Sequence, residues 1–142
     1  MLRMKGCNYM GKDLAIYRIQ RAKESLSTSK ELIAIGDCFG AANRSYYCIF
    51  HAIRSVLALE KIDYKKHSAV ISHFRKEYIN LGLFGKNKER LSDIISDLAE
   101  LRTKSDYEDF FVVSKNEVIE QVKNAEYFLN QIEAYLSSQG VK

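Results

Sequence analysis

The sequence predicts an all-α protein, an up-and-down antiparallel helical bundle of about five helices, four long and one shorter. Three observations predict it. Proline is absent from all 142 residues, which suits a chain made mostly of helix, because proline removes a backbone donor and clashes with the preceding turn. Apolar residues recur at alternating three- and four-residue steps, the mark of a helix with one buried stripe. Glycines gather where those stripes end, at Gly36 and Gly40, Gly82 and Gly85, and Gly140, with Gly6 and Gly11 ahead of the first.

The first stripe runs Ala15, Ile19, Ala22, Leu26 and Ile33, with Ser29 as a polar interruption, and predicts one long helix from Lys12 to Ile35. The second runs Ala42, Tyr46, Ile49, Ile53 and Val56. Tyr47, Cys48, Phe50, Leu57 and Leu59 make that segment apolar nearly all round, so it needs cover on several sides and reads as the central helix or a subunit interface. A shorter helix follows the polar "KIDYKKH", with Val70, Phe74, Tyr78 and Leu81 on one face. The fourth carries Leu91, Ile94, Ile95, Leu98 and Leu101. "FFVV" at 110–113 reads as a connection. The last helix opens with Ser114 and Glu117 at capping-box spacing and continues through Val118, Val122, Ala125, Leu129, Ile132 and Leu136. Short connections favour antiparallel neighbours. The expected organisation is one domain over 1–142, with flexible ends at 1–11 and 139–142.

Composition narrows the function classes. Hydrophobic residues at 46% and charged residues at 28% are ordinary for a globular chain, and a domain this long buries roughly 70% of its unfolded surface without metal or disulfide staples. A formal charge of +4 permits a nucleic-acid partner without identifying one. Cys7, Cys38 and Cys48 form no CxxC pair, and Cys48 sits in an apolar run where a reduced thiol packs as a small hydrophobe. No run of about 20 apolar residues could span a membrane, and the polar start lacks a signal-peptide core. The expected compartment is the cytoplasm, with no membrane partner.

Chemistry points to the second helix. In "NRSYYCIFHA", Arg44 and His51 are seven residues apart, two turns, so they project from nearly one face with Tyr47 between them. Arg44 lies roughly opposite Tyr46 and His51 opposite Ile49, which points the pair away from the apolar stripe, toward a groove or a second subunit. Read alone, such a pair is most simply a capping His and an Arg paired with an acid. Yet a charged Arg on an otherwise apolar helix is costly to bury without a partner, so that face is wet or specifically paired. Arg102 and Asp106, followed by Tyr107, make an i, i+4 pair whose plain reading is a helix-stabilising ion pair. Were Asp106 to reach Arg44 or His51 instead, it would orient the site. His67 is expected near the start of the third helix and His73 on a solvated face; neither makes a metal site with His51, because an i, i+4 ligand pair is missing. The basic residues Lys61, Lys65, Lys66, Arg75, Lys76, Lys86, Lys88 and Arg90 read as solvated faces that could also guide RNA, with Tyr64 or Tyr47 for stacking.

Three phrases, "AANRSYYCIFHA" at 41–52, "HSAVISHF" at 67–74 and "LRTKSDYEDF" at 101–110, resemble the HEPN superfamily, whose motif is Arg, four to six residues, then His. The match is closest to its small prokaryotic branch. The resemblance implies a dimerising helical bundle in which the Arg-His faces of two subunits often meet in a cleft. It also implies a ribonuclease that needs no metal or cofactor, commonly a toxin encoded beside a nucleotidyltransferase antitoxin. Carried over by motif, Arg44 and His51 are the catalytic residues, with Asn43, Ser45, Tyr47, Arg102, Asp106 and Tyr107 supporting. Ser45 stands where the toxin-type motif commonly has Asn, Asp or His, and Ile53 stands where some toxins carry a modified Tyr. Two other readings stay open: a non-catalytic module that binds a nucleotide or a nucleotidyltransferase partner, and a plain dimerisation scaffold.

Overall fold

A computed structural model describes residues 2–3 and 8–141, with side chains from 11 to 141. Gly6 and Cys7 lie outside the described residues. Five α-helices run α1 (Asn8–Ala34), α2 (Cys38–Leu59), α3 (His67–Phe74), α4 (Lys88–Tyr107) and α5 (Lys115–Ser138). Two short strands, β1 (Leu2–Arg3) and β2 (Ile62–Asp63), form an antiparallel ladder with Leu2 opposite Asp63 and Arg3 opposite Ile62. Two residues are too few to show alternation, so the ladder has no signature in the sequence.

α2 is the centre, packing on α1, α3, α4 and α5. Every residue of its expected stripe is buried, and so are Cys48, Phe50 and Leu57, which explains why that segment is apolar nearly all round. Burial pushes the Cys48 thiol up to about 12, so it packs as an unreactive hydrophobe. Ser29 is fully buried and spends its hydroxyl on the Ala41 carbonyl at 2.8 Å.

The turn at 35–37 joins α1 to α2, and Asp37 caps α2: its Oδ1 accepts from the Gly40 N–H at 2.8 Å. Gly40 therefore lies inside α2 instead of ending the turn. A Cβ there would come within 2.5 Å of the Asp37 carboxylate, so the glycine makes room for the cap. Replacing Asp37 by alanine is expected to cost about 1 kcal/mol in urea unfolding. At α5, Ser114 Oγ accepts from the Glu117 N–H at 3.1 Å, one half of the expected capping box. No reciprocal bond from Glu117 is made among the described residues.

Three expectations are corrected. α1 starts one turn earlier than Lys12, at Asn8. The segment after α3 closes as a π-helical turn, Arg75–Ile79, in which the Asn80 N–H reaches the Arg75 carbonyl at 2.8 Å. That wider turn shifts the register, so Ile79 is buried in the core while Leu81 lies exposed beyond the helix. The end expected to be flexible from 139 instead folds back: Gly140 at φ 79° turns the chain, and Val141 is 2% exposed in the core.

Candidate functional site

The helical repeat places Arg44, Tyr47, His51 and Arg54 in one row along α2, opposite the buried stripe. All four are half-buried. The row is tied to α4 at one end and to α1 and β2 at the other.

At the first end, Arg102 and Asp106 make the expected i, i+4 pair, Nε to Oδ2 at 3.0 Å. Asp106 reaches neither Arg44 nor His51 directly. Its Oδ2 accepts from Asn43 Nδ2 at 3.0 Å, and Asn43 Oδ1 accepts from Arg44 Nε at 3.0 Å and Nη2 at 2.7 Å. Asn43 thus relays a carboxylate to the Arg44 guanidinium, fixing its plane through two donors that converge on one oxygen. Arg102 also donates to the Tyr47 hydroxyl at 3.2 Å. The Tyr47 ring lies 4.8 Å from the Arg44 guanidinium carbon and 5.5 Å from that of Arg102, within cation–π range of both. Tyr107 is exposed, with Arg102 5.8 Å from its ring. Ser45 is not brought to this group. It is fully buried and donates to the Ala42 carbonyl at 2.8 Å, because its position faces the core.

His51 lies beside Tyr47, ring centroids 5.9 Å apart, and neither ring nitrogen has a hydrogen-bond partner among the described residues. Burial drives its pKa down to about 4, helped in order by Arg21, Arg54, Arg44 and Arg18. His51 is therefore neutral at pH 7, with an acceptor nitrogen to offer.

Arg18, Arg21, Arg54 and Asp63 were missed by the sequence reading. Asp63 Oδ2 accepts from Arg54 Nη2 at 3.0 Å and Arg18 Nη2 at 3.3 Å, and Arg18 also donates to the Arg54 carbonyl at 3.1 Å. The step from Arg44 to Tyr47 to His51 extends by three to Arg54, a signal that was available. Asp63 arrives on β2, in the two-residue ladder with β1, which was not.

His67 opens α3 as expected, its Nδ1 3.2 Å from the Tyr46 hydroxyl and its ring stacked on Phe50 at 3.9 Å. Burial first, then Arg102 and Arg54, lower its pKa. His73 does not sit on a solvated face. It bridges the Tyr64 hydroxyl at 2.9 Å and Glu60 at 3.1 Å, and Tyr78 donates to the same Glu60 oxygen. The π turn brings that hydroxyl in. Arg75 is bonded to Ser92 and Ser96, and Arg90 stacks 3.5 Å over Tyr127, so two of the expected surface cations serve the fold. Among the described residues, no group of three His, Cys, Asp or Glu could hold a metal ion, and no helix is long and apolar enough to cross a membrane.

Comparison with known proteins finds relatives along most of the chain. The chain is 29% identical over 117 residues to a UPF0332 protein of Thermotoga maritima, covering 82% of this chain and 86% of that one. It is 28% identical over 123 residues to a Methanocaldococcus jannaschii protein named "Putative toxin MJ0142", covering 87% and 82%. A second protein of that organism, "Putative toxin MJ0605", is 35% identical over 89 residues, covering 63% and 64%. The model of the HEPN domain matches residues 15–135, nearly the whole bundle, and the chain belongs to the HEPN family.

Proposed function

We propose that this chain is a metal-independent endoribonuclease, a cytoplasmic toxin or defence component that works as a homodimer with its Arg44–His51 faces lining a cleft. The observation that carries the reading is His51: an imidazole half-buried on the same helical row as Arg44, held neutral at pH 7, with both ring nitrogens unengaged among the described residues. A neutral imidazole takes the proton of a ribose 2′-hydroxyl. The 2′-oxygen then bonds to phosphorus while the bond from phosphorus to the 5′-oxygen breaks. The departing 5′-oxygen takes a proton from water and the imidazolium releases the one it took, leaving a 2′,3′-cyclic phosphate and a free 5′-hydroxyl. Arg44, oriented by Asn43 and Asp106, offers its remaining donors to the phosphate as negative charge builds.

The names of two relatives support a toxin, which would pair with a nucleotidyltransferase antitoxin. Tyr17, exposed on α1 and one turn from Arg21, supports a second subunit on this face. The test is cleavage of RNA by purified protein in EDTA, with Arg44→Ala and His51→Ala as controls. Both variants should fold and lose activity. Activity that survives either change ends the proposal.

A second reading is a non-catalytic nucleotide- or partner-binding module. It is favoured by the Arg44 guanidinium, which already has two donors on Asn43 and its face on Tyr47. Thermal stabilisation by a nucleotide without any cleavage would select it.

A further inference from the structure

The other end of the row, past His51, carries charge that the reaction above does not use. Arg18 is accounted for: its side chain is 8% exposed, and a guanidinium so buried needs the acceptors it has in Asp63 and the Arg54 carbonyl. Asp63, however, serves two guanidiniums with one oxygen, while its Oδ1 accepts from the Tyr64 N–H at 2.9 Å. One carboxylate against two cations leaves a surplus positive charge at Arg54. Arg54 commits one of its five donors there, and the others have no protein partner among the described residues. Arg21, on the neighbouring α1, is held among the described residues only by a 3.4 Å contact to Tyr17 and a 3.8 Å contact to Glu24, both exposed. Contacts that long and wet hold it weakly.

Spacing along α2 says what this surplus charge fits. At 1.5 Å per residue, Arg54 lies about 4.5 Å beyond His51 and Arg44 about 10.5 Å before it, so the two arginines are about 15 Å apart along the helix. One phosphate cannot occupy both ends. A strand that presents successive phosphates can.

We propose that Arg21 and Arg54 form a second phosphate subsite, which takes the phosphate next to the reacting one in a single-stranded RNA. The proposal rests on the ribonuclease reading for the place of the reacting phosphate. A single strand is required because in-line attack by the 2′-oxygen needs a backbone free to rotate, which a duplex denies, and because RNA-reading proteins mostly grip unpaired segments. Arg21 lies one turn along α1 from Arg18, which donates to the Arg54 carbonyl at 3.1 Å, so Arg21 and Arg54 share this end of the row.

The test uses a ten-nucleotide 2′-O-methyl RNA, which lacks the hydroxyl needed for cleavage, so binding is read apart from reaction. Its affinity is followed by fluorescence anisotropy across salt concentrations. Each phosphate contact contributes about 0.7 to the slope of log affinity against log salt for a single strand. Arg21→Gln and Arg54→Gln should each lower the slope by about 0.7 and weaken binding about fivefold at 0.1 M salt, with Arg54→Lys restoring the slope. Arg21 is exposed and weakly held, so its variant keeps the fold. Arg54→Gln leaves Asp63 to Arg18. An unchanged slope in a normally melting Arg21→Gln variant overturns the subsite, as does a wild type that does not bind the strand. Absent cleavage of unmodified RNA, with the slopes still changing, would remove the nuclease reading and leave the subsite standing.

Discussion

Replacing His51 with alanine is expected to slow RNA cleavage by about 10²–10⁴-fold, the usual loss when a general base is removed. Its environment also fixes how the wild type responds to pH. With a pKa near 4, the imidazole stays unprotonated well below neutrality. An unperturbed histidine would be only about one-tenth neutral at pH 5.5, whereas here kcat/KM should be nearly level from pH 5.5 to 7.5, with its acid limb near 4. A bound phosphodiester offsets part of the surrounding arginine charge, so the limb of kcat should lie above that of kcat/KM. A kcat/KM limb near 6.5 would contradict the buried, cation-flanked setting.

The same group ties stability to pH. The unfolded chain has an ordinary histidine near 6.5 and the folded one has a depressed pKa, so the unfolded state binds more protons between those values. His51's contribution is complete above about pH 6.5 and is lost as pH falls toward 4. The melting temperature should therefore drop between pH 7 and 5, and drop less in His51→Gln. His67, lowered in the same direction, keeps part of the dependence.

Phe74→Ala is the substitution expected to damage the fold most, by about 3–5 kcal/mol. Its ring is fully buried and packs against Tyr78, Phe84 and Phe128 at centroid separations of 5.5, 5.8 and 6.1 Å. The rigid bundle cannot close over the space left behind. For a domain of this size the loss corresponds to about 10–15 °C in Tm. Urea melts should show a lower midpoint with an unchanged slope. A cost under about 1 kcal/mol would mean that the aromatic cluster is looser than its geometry.

The bundle was legible because burial follows periodicity: Ala42, Tyr46, Ile49, Ile53 and Val56 are inside for the reason their spacing states. Leu81 was misread because a π turn adds a residue that no spacing rule anticipates. Val141 was misread because a fold-back of two residues is too short to leave a pattern. In the candidate site, the Arg44–Tyr47–His51 row and the Arg102–Asp106 pair follow from the helical repeat alone. Asn43 as the relay between them depends on where α4 meets α2, and Asp63 depends on a two-residue ladder. Both are tertiary facts. Ser45 was carried over by its motif position after Arg44, but neighbours in sequence on a helix point 100° apart, and its side chain faces the core.

The central place of α2 has one more consequence. The strip that would meet a substrate is the back of the helix that four others clasp, so no hinge divides the chemistry from the keel of the molecule. Amides around His51 should exchange with deuterium only through global opening, at the slowest rates in the chain. Whatever adjusts to a ligand here must be side chains and the relation between subunits, while the helix itself stays still.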